Sequence, residues 1–327
     1  MMKNPTQWIP MRLFWRDACP MVDWGHLGAR RLTDPFFGQT IDACMRHPAN
    51  LLFRHQTPLE ELGEIARTQT SVRIKGFIFH MSRCGSTLIS QMLAAEPTNI
   101  VLSEAAPIDD ILRAHFRQSG LTEQHRIEWL QAIVKVLAWQ RQATEKHVFI
   151  KFDCWHAMFL PLIRRAFPEV PWIFLYREPL EVLVSQAGHM GGQMVPGVLE
   201  PGVFGWDAAT LGQMHFSEYG ARVLARICET ALQQVENGRG RLVNYQQLPE
   251  AIWPALLGYW KAEFTAEQND RMRAAARLNA KNPVLPFEPD SEAKRNSAPP
   301  ELRALASQWL DGVYQQLEAR RREQGFA

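Results

Sequence analysis

From Val72 onward, short apolar segments alternate with longer stretches of helical periodicity, and this alternation limits the fold more than any other feature of the sequence. Apolar runs of strand length separated by helical segments are typical of parallel sheets that helices cover on both faces. We therefore predict a three-layer α/β fold with a central parallel sheet. The predicted strands are residues 74–80, 100–103, 147–152, 172–176 and 241–245.

The first 70 residues do not show this alternation. They are rich in tryptophan and arginine, with one helix predicted after Pro35 and another from about Pro58 to Arg67. We predict an N-terminal helical cap over residues 1–70 that packs on a domain formed by residues 71–327. A chain of 327 residues with 46% hydrophobic composition can bury a large core.

The charge composition does not indicate a nucleic-acid or membrane-surface partner, because 36 basic residues nearly balance 34 acidic ones and no long run of one sign occurs. The five cysteines are widely spaced and include no C-x-x-C pair, which argues against a zinc site and for a reducing compartment. The N-terminal segment is interrupted by prolines and charges, and no run of about 18 apolar residues occurs. We expect a soluble, cytoplasmic protein.

The segment FIFHMSRCGSTLISQML, residues 77–93, predicts a strand, a tight loop and a helix. A tight loop of this kind, called a P-loop when it binds phosphate, directs backbone N–H groups and the positive end of the helix dipole at one point, where an anion can bind. The loop differs from the ATP-binding pattern G-x-x-x-x-G-K-[ST], because Gly85 replaces the lysine before Ser86 and Arg83 is the only strong cation. The alternative is a structural turn in which Ser86 or Thr87 caps the helix.

A second anion-binding position is predicted where the strand at 172–176 ends. Arg177 follows this strand, and Ser185 lies eight residues later in the predicted helix of WIFLYREPLEVLVSQ. An arginine at the carboxyl edge of a parallel sheet points into the crevice where ligands of such sheets bind. The alternative is an arginine paired with Glu178 or Glu181. Together with the loop, Arg177 would suit a nucleotide that carries phosphates at both its 5′ and 3′ positions.

These two segments, HMSRCGSTL and LYREPLEVLVSQ, resemble the phosphate-binding signatures of the sulfotransferases that use 3′-phosphoadenosine 5′-phosphosulfate (PAPS). The resemblance implies a P-loop-type domain that binds PAPS as co-substrate, releases PAP and needs no metal. It further implies that the first segment binds the 5′-phosphosulfate, that the second binds the 3′-phosphate, and that the tyrosine of LVNYQQL lies beside the adenine. The implied donor-binding residues are Arg83, Cys84, Gly85, Ser86, Thr87, Arg177, Ser185 and Tyr245.

Two features depart from the cytosolic animal members of this family. Those enzymes have lysine where this chain has Arg83, and the R-x-G-S-T form is similar to bacterial and tyrosylprotein sulfotransferases. They also carry an R-K-G segment that this sequence lacks. In its place, Ser291 and Lys294 of FEPDSEAKR are candidates for the late nucleotide contact.

Three residues are candidates for catalysis of sulfuryl transfer. Glu104, at the end of the second predicted strand of the sheet, corresponds to the carboxylate base of the resembling enzymes. Arg83 and Lys151 would stabilise charge on the leaving oxygen, since a lysine in an apolar strand should contact an anion.

Alternatives to these roles remain open at the level of the sequence. In the alternative interpretation, Glu104 caps a helix and Lys151 forms an ion pair with Asp153. His115 and His156 are competing bases, although both are more simply explained as helix residues.

Three other activities compete with sulfuryl transfer. One is a P-loop kinase that uses ATP and Mg²⁺ with Asp153 as magnesium ligand, and another is a phosphatase with Cys84 as nucleophile. The third is a nucleotide-binding homologue without turnover. The sequence does not identify the acceptor, whether small molecule, glycan or peptide, but the glycine-rich segment 188–206 suggests a lid over it.

Overall fold

The structure is a computed structural model, and it describes residues 4–238 and 240–325. The strands are β1 (Trp8–Arg16), β2 (Cys19–His26), β3 (His55–Pro58), β4 (Ile74–His80), β5 (Asn99–Ser103), β6 (His147–Lys151), β7 (Trp172–Tyr176), β8 (Gly240–Asn244), β9 (Leu278–Asn279) and β10 (Asn282–Pro286).

The α-helices are α1 (Phe37–Met45), α2 (Pro48–Leu52), α3 (Leu62–Arg67), α4 (Ser86–Ala94), α5 (Ala106–Leu112), α6 (Ala114–Arg117), α7 (Glu123–Leu137), α8 (Leu160–Ala166), α9 (Pro179–Gly188), α10 (Ala208–Gly212), α11 (Phe216–Glu236), α12 (Ala255–Tyr259), α13 (Ala266–Ala276), α14 (Ser291–Ser297), α15 (Pro300–Trp309) and α16 (Asp311–Glu323). None of the helices in residues 4–238 and 240–325 combines the length and the apolar character that crossing a membrane requires.

The central sheet confirms the predicted α/β fold. Its five strands are all parallel and lie in the order β5-β6-β4-β7-β8, and helices flank them. Each strand begins and ends within one residue of its predicted bounds. The prediction succeeded because these strands are buried almost throughout and therefore read as continuous apolar runs.

Strand order places a ligand crevice at the carboxyl end of β4. After β4 the chain runs to β5 and β6 on one side, and then crosses to β7 and β8 on the other. The connections therefore diverge next to β4, which leaves an opening at the carboxyl edge of the sheet. The loop after β4 and the residues that follow β5, β6 and β7 meet at this opening.

The N-terminal segment differs from the predicted helical cap. It contains the antiparallel sheet β1-β2-β3, although α1 and α3 lie where helices were predicted. The strand pattern of β1 was obscured because its register shifts between Pro10 and Arg12, which interrupts the alternation of buried and exposed side chains.

This N-terminal sheet shares the hydrophobic core of the rest of the molecule. The buried ring of Trp24 stacks on Trp139 with 6.5 Å between centroids, and its Nε1–H donates to Thr57 at 3.0 Å. The backbone N–H of Leu13 donates to the carboxylate of Asp110, on α5, at 2.8 Å. The boundary proposed at residue 70 therefore crosses a continuous packed interior.

The glycine-rich segment 188–206 is anchored for much of its length. It contains two short 3-10 helices, Gly192–Met194 and Pro201–Phe204, and buries Met194 and Phe204. Glu200 also forms an ion pair with Arg113 at 2.7 Å. Closure of this segment as a lid stays a prediction.

Candidate functional site

The loop between β4 and α4 forms a concave backbone turn. Ser82, Arg83 and Gly85 have φ values of 85°, 52° and 88°, all in the left-handed region. Successive residues of this kind turn their N–H groups inward and form an anion-binding concavity. Gly85 is the N-cap of α4 and no side chain caps the helix, so the structure does not support a capping role for Ser86 or Thr87.

Position 85 has no room for a side chain. A Cβ atom there would lie 2.8 Å from the ring of Tyr245 and 2.9 Å from the side chain of Leu248. Tyr245 therefore packs directly against the loop.

A cavity of about 490 Å³ opens at this edge of the sheet. It gathers candidate residues that are separated by as many as 211 positions in the sequence, from Arg83 to Lys294. Those that line it are Arg83, Cys84, Gly85, Ser86, Thr87, Glu104, Arg177, Ser185, Tyr245 and Lys294.

Glu104, which lines the cavity, forms an ion pair with Lys151, which is buried and does not line it. The Oε1 atom of Glu104 lies 2.8 Å from Nζ of the fully buried Lys151, which also donates to Oγ1 of Thr87 at 3.3 Å. Burial raises the pKa of Glu104, but Lys151 and His80 outweigh it and lower the pKa to about 2. The anionic partner of Lys151 is thus Glu104, and the alternative pairing with Asp153 is not observed.

His80 supports this pair from the end of β4. Its Nδ1 accepts from the N–H of Ser82 at 3.1 Å, so Nε2 carries the proton and donates to the carbonyl of Phe152 at 3.0 Å. The same Nε2 lies 3.7 Å from Glu104. Burial lowers the pKa of His80 and so disfavours the charged imidazolium, although the hydrogen bond to Glu104 acts in the opposite direction.

Asp153 also lines the cavity, next to Glu104. Its pKa is raised well above the usual range by burial, and further by the charges of Glu104 and Asp109. Asp153 and Glu104, two of the carboxyl groups that line the cavity, therefore have pKa values that are shifted in opposite directions.

Cys84 lies inside the loop and not on its open side. Its Sγ–H donates to the carbonyl of Leu175 at 3.1 Å, and burial raises the pKa of the thiol to about 12. A nucleophilic cysteine must form a thiolate, so the buried and hydrogen-bonded thiol of Cys84 argues against a phosphatase that uses it as nucleophile.

Arg177 is buried and its charge is already paired. Its Nε donates to Glu181 at 2.5 Å and its Nη2 to Asp290 at 2.7 Å, while the guanidinium stacks 4.1 Å from the ring centroid of Tyr245. The alternative pairing with Glu181 is therefore observed, whereas Glu178 caps α9. A phosphate at Arg177 would therefore compete with the carboxylate of Asp290 for Nη2.

The late segment FEPDSEAKR reaches this arginine, while the predicted contact of Ser291 and Lys294 with a nucleotide stays a prediction. Oγ of Ser291 accepts from Arg177 at 3.0 Å, and Nζ of Lys294 lies 2.5 Å from Asp290. Sequence reasoning missed Asp290 itself, although its position directly before Ser291 placed it next to a candidate.

The guanidinium of Arg83 donates to the carbonyl of His189, at the end of α9. The hydroxyl of Ser82 accepts from Gln186 at 2.9 Å and from Gln193 at 3.4 Å. These hydrogen bonds connect the loop between β4 and α4 to the last turn of α9 and to segment 188–206.

The competing histidines lie away from this chemistry. His156 is buried and donates to Asp109 at 2.9 Å, and His115 contacts Arg126 at 3.0 Å. Neither lines the cavity.

Two further residues of the cavity wall were not anticipated from the sequence. Phe36 comes from the N-terminal segment, and its ring centroid lies 4.7 Å from Nζ of Lys151. Lys281 comes from the turn between β9 and β10. No local signal marks either residue, since both reach the cavity through tertiary packing. Within the two described ranges, no group of three or more potential metal-ligating side chains occurs.

Comparisons with known proteins gave matches among solved structures only. No family model matches the sequence, and a search of curated proteins gave no match. The sulfotransferase STF9 from Mycobacterium avium is 14% identical, with 83% of this chain and 81% of that chain covered and a TM-score of 0.45. A sulfotransferase from Alicyclobacillus acidocaldarius is 12% identical, with coverage of 77% and 96% and a TM-score of 0.45.

The sulfotransferase domain from the curacin biosynthetic pathway is 18% identical. The match covers 74% of this chain and 98% of the curacin-pathway domain, with a TM-score of 0.42. All three are sulfotransferases, the family that the two sequence motifs resemble.

Proposed function

We propose that this protein is a sulfotransferase that moves the sulfuryl group of PAPS to a hydroxyl or amine acceptor and releases PAP. The observation that carries the proposal is the single cavity that joins the concave loop, Arg177 and the Glu104–Lys151 pair. The arrangement supplies two anion-binding positions with a carboxylate and an ammonium group near one of them.

The donor would bind along the carboxyl edge of the sheet. The 5′-phosphosulfate would accept hydrogen bonds from the N–H groups of the loop at Gly85 and Ser86, at the start of α4. The 3′-phosphate would reach Arg177 and Ser185, with Tyr245 against the adenine. Ser291 and Lys294 would contribute from the segment that holds Asp290, once that carboxylate leaves Arg177.

Glu104 would act as the base and Lys151 as a cation for the leaving oxygen. A carboxylate with a pKa of about 2 is a weak base, and the contact with Lys151 is the main charge interaction that makes it weak. When Lys151 instead donates to the donor, Glu104 loses part of this stabilisation and becomes more basic. Donor binding would therefore activate the base.

The chemical step is then mostly positioning and charge stabilisation. The acceptor oxygen or nitrogen forms a bond to sulfur, while the sulfur–oxygen bond to the 5′-phosphate breaks and its electron pair stays on the phosphate oxygen. Glu104 takes the proton of the acceptor. Lys151 and Arg83 stabilise the charge that develops on the phosphate, and the scheme uses no metal ion.

Calorimetric titration of PAP, and separately of ATP with Mg²⁺, tests the donor. We expect PAP to bind and ATP to bind much more weakly. Arg177→Ala should weaken PAP binding by at least about tenfold, since a charge-assisted contact contributes about 1.5–3 kcal/mol. Arg226→Ala is the matched control, because Arg226 pairs with Glu229 outside the cavity.

Preferential binding of ATP would support the kinase reading instead, and equal PAP affinity in the wild type and Arg177→Ala would contradict the two-phosphate site. Incubation with PAPS and a broad panel of acceptors then tests turnover. Tight PAP binding without sulfation of any acceptor would favour a nucleotide-binding homologue.

A further inference from the structure

Lys281 reaches the cavity from an exposed hairpin. It lies in the turn between β9 and β10, where Oδ1 of Asn279 accepts from the N–H groups of Lys281 and Asn282 at 3.0 and 3.2 Å. These two bonds hold the turn in shape, so the position of Lys281 is set by the hairpin.

The ammonium group of Lys281 lies close to the catalytic end of the cavity. Its Nζ is 5.9 Å from the ring centroid of Phe36, the same ring that Lys151 approaches at 4.7 Å. One aromatic ring thus has two lysine ammonium groups beside it, and Arg83 lines the same cavity.

Lys281 and Arg83 differ from the other cations of the site, because among the described residues neither forms an ion pair with a carboxylate, and Arg83 instead donates to the carbonyl of His189. Lys151 pairs with Glu104, Arg177 with Glu181, and Lys294 with Asp290. In the part of the chain that the structure describes, no carboxylate forms an ion pair with Lys281.

The surroundings of Lys281 also disfavour its charge. Lys281 as a residue is exposed, but partial burial of its amine in the cavity, followed by the charges of Arg83 and Lys151, lowers its pKa to about 8, whereas Glu104 acts in the opposite direction. Lys294, on α14, adds a further repulsive charge. An amine held among like charges without an anionic partner is typical of a site that is completed by an anionic ligand.

We propose that Lys281 is a third donor-binding cation, which contacts the 5′-phosphosulfate of PAPS together with Arg83 and Lys151. The inference rests on the proposed function. The 5′ end is favoured over the 3′-phosphate because Lys281 shares Phe36 with Lys151, and because its main charged neighbours are Arg83 and Lys151, not Arg177.

In the transfer step, Lys281 would donate a hydrogen bond to the 5′-phosphate as the sulfur–oxygen bond breaks. The electron pair of that bond remains on the phosphate oxygen, whose negative charge increases, and the proton of the acceptor goes to Glu104. Lys281 gains and loses no proton in this step.

The test compares PAP with adenosine 3′-phosphate, which lacks the 5′-phosphate. Lys281→Ala should weaken the binding of PAP by about tenfold or more, and should leave the affinity for adenosine 3′-phosphate within about twofold of the wild type. Lys281→Arg should retain most of the PAP affinity, since arginine supplies the charge at every accessible pH. Val284→Ala, on the same hairpin and 88% exposed, controls for damage to the hairpin.

An unchanged PAP affinity in Lys281→Ala, or an equal loss for both ligands, would overturn the role of Lys281 at the 5′ end. A loss in Val284→Ala as large as in Lys281→Ala would show that the hairpin, and not the ammonium group, is responsible. The proposed function fails separately, namely if the wild-type protein does not bind PAP.

Discussion

Glu104 is held in a backbone conformation that residues with side chains seldom adopt. Its φ is 57°, and its N–H donates to the carbonyl of Lys151 at 2.8 Å. This bond links the end of β5 to the neighbouring β6 and brings the carboxylate of Glu104 against the ammonium of Lys151. A left-handed conformation costs about 1–3 kcal/mol and persists where the surrounding structure fixes it, often at functional sites.

Replacement of this carboxylate should affect turnover more than donor binding. We expect Glu104→Gln to reduce kcat by about 10² to 10⁴, because a positioned base contributes an acceleration of that size. The amide keeps the shape of the side chain but cannot take the acceptor proton. The measurement is sulfuryl transfer at saturating PAPS, with PAP affinity determined in parallel.

Glu288→Gln is the control for this variant, since Glu288 is an exposed carboxylate at the same cavity. Equal losses of kcat in the two variants would show that the net charge of the cavity, and not a base at position 104, governs the rate.

The carboxylate of Asp290 accepts a hydrogen bond from the guanidinium of Arg177, the group that would bind the proposed 3′-phosphate. It contacts Arg177 at 2.7 Å and Lys294 at 2.5 Å, so one carboxylate pairs with two cations of the site. We expect Asp290→Asn to increase the affinity for PAP by about three- to tenfold, because the phosphate would no longer compete with a charged group. Calorimetric titration of PAP measures this change.

Glu292→Gln is the matched control for Asp290→Asn, since Glu292 is an exposed acid one turn or less away on α14. A weaker affinity for PAP in Asp290→Asn would mean that Asp290 helps to hold Arg177 in its binding position and does not compete with the ligand.

At the scale of elements, the connection between β4 and α4 determines the anion-binding concavity. Gly85 combines a φ of 88° with the close approach of Tyr245, so both backbone conformation and space require glycine. This loop depends on the packing of the residues after β8 as well as on its own sequence.

Gly85→Ala should therefore destabilise the protein and weaken PAP binding together. We expect a loss of about 1–3 kcal/mol in the free energy of unfolding, since the methyl group meets a ring and the backbone is strained. Urea denaturation measures the stability and calorimetry the affinity. Gly63→Ala on α3, where a Cβ meets no atom within 4 Å, should be neutral or slightly stabilising. Unchanged stability and affinity in Gly85→Ala would refute the geometry given for the loop.

At the scale of the whole molecule, the N-terminal sheet and the parallel sheet share one interior. Trp24 of β2 is buried between the two parts, on Trp139. Residues from both parts contribute to one continuous hydrophobic core, and Phe36 from the N-terminal segment lines the candidate cavity. We therefore expect both parts to unfold together.

Trp24→Ala should reduce the free energy of unfolding by about 3–5 kcal/mol, the usual cost of removing a buried aromatic side chain. Urea denaturation followed by circular dichroism should show a single transition at lower urea concentration. Leu52→Ala, at a side chain that is 74% exposed, should have little effect. Two separate transitions in Trp24→Ala would indicate that the N-terminal segment is an independent unit.

The sequence alone determined the features that depend on local patterns. The five buried strands are continuous apolar runs, and the loop at 81–85 and the Arg177–Ser185 spacing are short motifs, so their positions follow from neighbouring residues. Because the carboxyl ends of parallel strands meet at one edge, the sequence also predicted that Arg83, Glu104 and Arg177 would share a site.

Only the tertiary structure decided which groups pair and what completes the cavity wall. Lys151 pairs with Glu104 and not with the nearby Asp153, and Asp290 reaches Arg177 across 113 positions. Phe36 and Lys281 enter the site from distant segments, and a register shift concealed the N-terminal sheet. Pairing and burial depend on distances in space between residues far apart in the chain, and no local pattern of residue types specifies those distances.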